Sequence, residues 1–243
     1  HGGNRQVVGS CHIFITHREG NQWSEPQSLG KPVNSTAWES QPSLSPDGRT
    51  LYFVSERSGG KGKRDIYVSH LGEDNQWSQP ENLGDIINTP RDEISPFIHA
   101  NGQTLYFASN GYPGFGGFDL YKSELDSTGQ WTEPENLGYP INTFEDQASL
   151  FITADGKTAY YSHEKSKNGR YIESRIFKFE VPEPVRVKNT TNYVHGKVFD
   201  AETKEPIPAQ VELIRLADNS KQGAVKSDRV SGKYMMVLTE GAD

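Results

Sequence analysis

The 243-residue chain carries 25 Lys and Arg against 32 Asp and Glu, a net charge of −7, and has a pI near 5.5. Acids and bases are interspersed without a basic run, which excludes the phosphate footprint of a nucleic-acid binder and docking on anionic lipid by charge. No apolar run approaches the roughly 18 residues of a membrane-spanning helix, and one cysteine, Cys11, excludes an internal disulfide.

With 24 Gly, 14 Pro, 11% aromatics and short apolar runs between turn signals, the composition is that of an all-β protein of many short strands. The chain starts at His1, and its first segment reads as the tail of a repeat. Ile13-Phe14 stands where Ile66-Tyr67 and Leu120-Tyr121 stand later. Val8-Gly9-Ser10-Cys11 shares letters with a lipoprotein cleavage box. Gly2-Gly3-Asn4-Arg5 occupies the place of the apolar segment such a box requires, so this reads as a small-residue strand.

A motif then recurs every 54 residues. Asn21-Gln22-Trp23-Ser24-Glu25-Pro26, Asn75-Gln76-Trp77-Ser78-Gln79-Pro80 and Gly129-Gln130-Trp131-Thr132-Glu133-Pro134 each lead to Leu-Gly, then to Asn34, Asn88 or Asn142. Each copy continues to Asp47-Gly48, Asn101-Gly102 or Asp155-Gly156. Three copies in one register signal a repeat architecture.

Each repeat predicts four strands. The first is short (Ser43-Leu44-Ser45, Phe97-Ile98-His99, Leu150-Phe151-Ile152) and ends in the Asp-Gly or Asn-Gly turn, where Gly supplies the positive φ of a tight hairpin. The second runs Thr50 to Ser55, Thr104 to Ser109 and Thr158 to His163. Its consecutive apolar residues predict burial on both faces. The third falls at Asp65 to Ser69, Asp119 to Ser123 and Arg175 to Phe179. The fourth is expected at the Trp-Ser/Thr-x-Pro segment, since an outer edge tolerates Pro, with Trp23, Trp77 and Trp131 packed between blades. Four antiparallel strands buried on both faces describe the blades of a β-propeller. Three repeats and part of another are too few to close a ring, so either further blades stand upstream, which is the expectation, or the piece is an open arc with a raw edge.

Val181-Pro182-Glu183-Pro184 reads as a linker. Beyond it, strands are predicted at Tyr193 to Asp200, Ala209 to Ile214 and Gly232 to Leu238, a sandwich-like unit short of the roughly 100 residues of an immunoglobulin-type sandwich. The domain division is blades over 1–187 and a C-terminally truncated sandwich over 192–243.

Chemical signatures are sparse. No Gly-x-Ser-x-Gly elbow presents a nucleophile, and the seven histidines show no His-x-x-x-His pair, so no catalytic residue, metal or cofactor is expected. His1-Gly2-Gly3 has no strand before it and does not read as an oxyanion loop. Asn34-Ser35-Thr36 and Asn189-Thr190-Thr191 are glycosylation sequons in form only.

Candidate partner-binding residues lie in the loops between second and third strands and in acidic pairs near the first strands. Lys61, Lys63 and Arg64 occupy one loop; Tyr112 and Phe115 occupy its counterpart one blade later. The aromatics either contact a partner on a propeller face or fold back between blades along a path that glycines permit. Asp92 with Glu93, and Glu145 with Asp146, precede first strands. They either ring a mouth of the channel, holding a cation or a basic segment, or cap turns.

The unit Ser45-Pro46-Asp47-Gly48-Arg49-Thr50-Leu51-Tyr52-Phe53 with Asp65-Ile66-Tyr67 resembles the WD40-like repeat of TolB-type propellers, over about three quarters of the chain. Arg175 departs from it, standing where Asp65 and Asp119 stand. Gly196-x-Val198-x-Asp200-Ala201-x-Thr203, Pro206-Ile207, Ala209-x-Val211 and Gly232-x-Tyr234 resemble a carboxypeptidase-regulatory-like, transthyretin-type sandwich. Propeller followed by sandwich is similar to the middle of periplasmic OmpA-family lipoproteins of the type IX secretion machinery, of the PorE kind. The resemblance implies a non-enzymatic scaffold in the periplasm at the outer membrane, with protein partners of the envelope or secretion machinery. It places any peptidoglycan contact in a domain outside this chain. Two other classes stay open: a carbohydrate or peptidoglycan-fragment binding module, and the non-catalytic propeller of a hydrolase.

Overall fold

The computed structural model describes residues 11–167 and 170–239. The cleavage-box letters Val8-Gly9-Ser10 and the His1-Gly2-Gly3 stretch lie outside them.

The described chain opens with β1 (Phe14–Ile15), β2 (Arg18–Glu19), β3 (Gln22–Trp23) and β4 (Gln27–Ser28), β1 pairing with β4 and β2 with β3. Two complete antiparallel blades follow. The first is β5 (Glu39–Leu44), β6 (Thr50–Ser55), β7 (Asp65–His70) and β8 (Glu81–Asn82). The second is β9 (Glu93–Ile98), β10 (Thr104–Ser109), β11 (Asp119–Glu124) and β12 (Glu135–Asn136). A third blade has three strands, β13 (Asp146–Ile152), β14 (Thr158–Lys167) and β15 (Arg170–Glu180). A 3-10 turn at Glu183–Val185 leads to β16 (Thr191–Lys197), β17 (Gln210–Ile214), β18 (Lys221–Lys226) and β19 (Lys233–Thr239), paired β16 with β19 and β17 with β18. The fold is all-β, a partial propeller followed by a small sandwich.

Alternating strand direction gives each blade two ends. The Asp-Gly and Asn-Gly turns lie at a hairpin end, with Gly48, Gly102 and Gly156 at φ of 71°, 68° and 69°. The loops joining second to third strands, and one blade to the next, lie at the opposite loop end. The innermost strands β5, β9 and β13 stand side by side and touch through side chains. Gln41 Oε1 accepts from Ser95 N at 3.0 Å, and Ser43 Oγ accepts from Ile98 N at 2.9 Å. As predicted, β6 and β10 are buried on both faces (Tyr52, Phe53, Val54; Tyr106, Phe107, Ala108) and form the heart of the core.

The recurrent Asn is a backbone surrogate. Asn88 Oδ1 accepts from Ile66 N at 2.8 Å while its Nδ2 donates to Ile66 O at 2.9 Å. Asn142 clamps Leu120 the same way, and Asn34 clamps Ile13. The fourth strands β8 and β12 are only two residues long, so the amide extends the ladder where the strand has ended.

Four expectations are corrected. The first strands begin earlier, at Glu39, Glu93 and Asp146, because a bulge with Gln41 and Ser95 at positive φ lets the polar stretch stay paired. The fourth strand follows the Trp segment instead of carrying it; Trp77 and Trp131 make single bridges to Leu71 and Leu125 in the turn after the third strand. Trp131 packs edge-on against Tyr52 of the previous blade at 6.1 Å, whereas Trp23 is exposed on β3 and packs between no blades. The 181–184 stretch is no free linker: Val181, Val185 and Val187 are buried. Val185 stands 54 residues after Trp131, and its carbonyl accepts from Tyr106 Oη at 3.1 Å. The 3-10 turn thus covers Tyr106 as the Trp turn covers Tyr52.

The sandwich contacts the hairpin end. Thr191 Oγ1 donates to Ala154 O at 2.7 Å, Asn101 Nδ2 donates to Asn189 O at 3.3 Å, and Gly20 N donates to Asp228 Oδ2 at 3.1 Å. β18 is a strand that its polar letters did not reveal.

Candidate functional site

In each of the two complete blades the loop end is built around one carboxylate. Asp65, first residue of β7, is buried and accepts from Lys61 N at 2.5 Å and Gly62 N at 2.9 Å. Asp119 takes Phe115 N at 2.8 Å and Gly116 N at 3.1 Å. Each loop is therefore wrapped over an Asp and pressed against the next blade. A Cβ at Gly62 would collide with the carbonyl of Arg91, and one at Gly116 with those of Thr143 and Glu145.

Just beyond each loop lies the joint between blades. Asp92 Oδ1 accepts from Arg64 N at 3.3 Å and Asp146 Oδ1 from Phe118 N at 2.9 Å. Glu93 N donates to Arg64 O at 2.9 Å and Gln147 N to Phe118 O at 2.8 Å. The acidic residues expected to ring a channel mouth are thus largely structural, because the early start of the first strands puts them into the ladder. Glu93 is fully buried, with its carboxylate receiving Thr89 N at 2.8 Å, Thr89 Oγ1 at 2.7 Å and Ser109 Oγ at 2.7 Å. Burial pushes its pKa up and those hydrogen bonds oppose the rise. It has no surface with which to meet a partner. Glu145 pairs with His163 of its own blade.

The basic loop is also largely satisfied internally. Lys61 pairs with Asp85. Arg64 Nε lies 3.1 Å from Glu56 Oε1, with its guanidinium 5.3 Å above the Trp38 ring. Lys63 Nζ, 3.8 Å from the same Glu56 oxygen, is mostly exposed. The two readings of the aromatic loop divide between its residues. Tyr112 folds back, its hydroxyl donating to Ile86 O and its ring 5.3 Å from Tyr121, and burial raises its pKa. Phe115 stays 56% exposed.

Two further aromatics lie at the same end: Tyr139 at 78% and Phe144 at 82% exposure. Neither was singled out from the letters, although both stand where copies differ. Phe144 replaces Pro90, and Tyr139 replaces Asp85, 54 residues earlier. Phe115 likewise stands 54 residues after Lys61. The positions that hold an ion pair in the first blade therefore hold Phe115 and Tyr139 in the second. Phe144 enters through the Thr143–Glu145 backbone against which Gly116 packs. The loop end thus changes from paired charges to exposed rings across one joint.

No family model matches the chain, and no curated protein matches it. Among solved structures it is similar to TolB from Acinetobacter baumannii, at 12% identity and a TM-score of 0.43, covering 94% of this chain and 54% of that one. The chain therefore spans about half the length of that structure. It is also similar to the periplasmic gluconolactonase PpgL of Pseudomonas aeruginosa, at 13% identity, a TM-score of 0.35 and coverage of 90% and 80%. A nidogen/laminin complex is similar at 14% identity, with a TM-score of 0.36 and coverage of 88% and 73%.

Proposed function

We propose that the chain is a non-enzymatic interaction module that holds a protein partner at the loop end, with Phe115, Tyr139 and Phe144 as anchors. The observation that carries this reading is the exposure of three large rings on adjoining loops, at positions where the preceding blade has Lys61, Asp85 and Pro90. Aromatics supply a large share of the energy at protein interfaces and are costly to leave in water. Lys63, mostly exposed one blade away, adds a cation at the rim. The finer setting is a periplasmic spacer and docking module of an outer-membrane-associated, OmpA-family protein serving type IX secretion or envelope anchoring. Its support is the order of the Trp and Asp-Gly repeats followed by the Gly196-x-Val198-x-Asp200 sandwich motif.

The test is retention of envelope proteins by immobilised wild-type protein and by a Phe115→Ala, Tyr139→Ala, Phe144→Ala variant of unchanged circular dichroism. A photo-crosslinker at position 144 identifies what is touched. A secretion or envelope protein crosslinked there, and lost from the triple variant, supports the reading; equal retention by both proteins refutes it. The same rings favour a second reading, sugar stacking, which predicts that muropeptides titrate the Tyr139 ring resonances.

A further inference from the structure

A cavity of about 770 Å³ opens where the β2–β3 turn meets the sandwich, well away from the loop end. Its wall gathers Arg18, Lys197, Lys226 and Lys233 around a single carboxylate, Asp228, in a chain whose net charge is −7. That carboxylate is already committed. Asp228 Oδ1 receives Val230 N, Ser231 N and Ser231 Oγ, and Oδ2 receives Gly20 N. These bonds, led by the Ser231 hydroxyl, hold its pKa down to about 2.

The lysines are left without counter-charges. Lys197 and Lys233 are directly opposed in the β16–β19 register, and among the described residues neither they nor Lys226 makes an ion pair. Like charges facing each other across a ladder destabilise a sheet. A nearby lysine shows the alternative this sheet does not use: Lys221 Nζ lies 2.8 Å from Glu212 Oε1. His195 and half-exposed Met235 continue the wall beyond the lysine pair and give it an apolar side.

We propose that this cavity binds a small polyanion carrying two or more carboxylate or phosphate groups, with Lys197 and Lys233 as the paired ligands and Arg18 and Lys226 closing around it. Charge-assisted bonds to lysine replace the missing carboxylates, and the repulsion across the ladder becomes attraction for a shared anion.

The experiment uses the whole chain with citrate and pyrophosphate as probes, by calorimetry and thermal melting, against NaCl of matched ionic strength. Either probe should bind above the salt control, and the tighter one assigns carboxylate or phosphate. The Lys197→Gln, Lys233→Gln variant should weaken binding at least tenfold while melting no lower than the ligand-free wild type, since a repulsion has been removed. Lys221→Gln should leave binding unchanged. The proposal is overturned if neither probe exceeds matched salt, if the double variant binds equally, or if Lys221→Gln weakens binding as much.

Discussion

Tyr106 and Tyr160 hold the same position in consecutive blades, yet Tyr106 is 0% exposed and Tyr160 is 37% exposed. Their cross-strand neighbours repeat the contrast: Lys122 is buried and Lys178 is exposed. One side chain thus meets two environments on one scaffold. Tyr106→Ala should cost about 3–5 kcal/mol, the range for removing a buried ring, and should also orphan the Val185 carbonyl. Tyr160→Ala should cost under about 1 kcal/mol. Urea midpoints of the two variants check this.

The Asn88 clamp gives a second outcome. Asn88→Ala leaves the N–H of Ile66 buried without a partner, leaves its C=O with Leu83 N alone, and removes the donor to Asn82 Oδ1 at 2.8 Å. One buried unsatisfied donor puts the loss at about 1–3 kcal/mol. Chemical denaturation measures it.

Glu93 makes the stability depend on pH. Its folded pKa is raised by burial, so the folded state favours the protonated form. The sign is that of a buried acid: this penalty is absent below the unfolded pKa and grows as pH rises through the folded value. Gln147 performs the same joint role in the next blade without a charge, Oε1 accepting from Thr143 N at 3.0 Å and Nε2 donating to Thr143 Oγ1 at 2.8 Å. Glu93→Gln should therefore raise the unfolding midpoint at pH 8 and leave it nearly unchanged at pH 4. Melting curves at the two pH values decide it.

The switch from ion pair to aromatic pair can be reversed. Phe115→Lys with Tyr139→Asp installs the Lys61–Asp85 arrangement in the second blade. As an exposed exchange it should change stability by no more than about 0.5 kcal/mol, while partner retention at the loop end is lost. A pull-down paired with a denaturation curve reads both.

The blades were legible because their turns are written in chemistry that only tight hairpins need: Asp47-Gly48, Asn101-Gly102 and Asp155-Gly156. The fourth strand was not, since Glu81–Asn82 and Glu135–Asn136 are two residues long and polar, and the Trp beside them is louder. Val185 was unreadable as the counterpart of Trp131 because it fills that place with a turn and not with a ring. At the site, recurring acids misled. A carboxylate such as Asp92 recurs, as Asp146, because the joint needs it, whereas Tyr139 and Phe144 carry the exposed chemistry and appear once each. Departure from the repeat, followed through every position, is the signal that finds them.

Among the described residues β15 runs without a fourth strand beside it, whereas Tyr67 and Val68 of β7 meet β8, and Tyr121 and Lys122 of β11 meet β12. In repeat arrays stability passes between neighbours, so a blade with a joint on one side opens before a blade with joints on both. Amide exchange under native conditions should be fast at Ile176 and Lys178, whose N–H groups face away from β14, and tied to global unfolding at Leu120 and Lys122. Any sheet laid against the third blade would slow the exposed amides first. The protection of Ile176 is thereby a clock for how far the ring has closed.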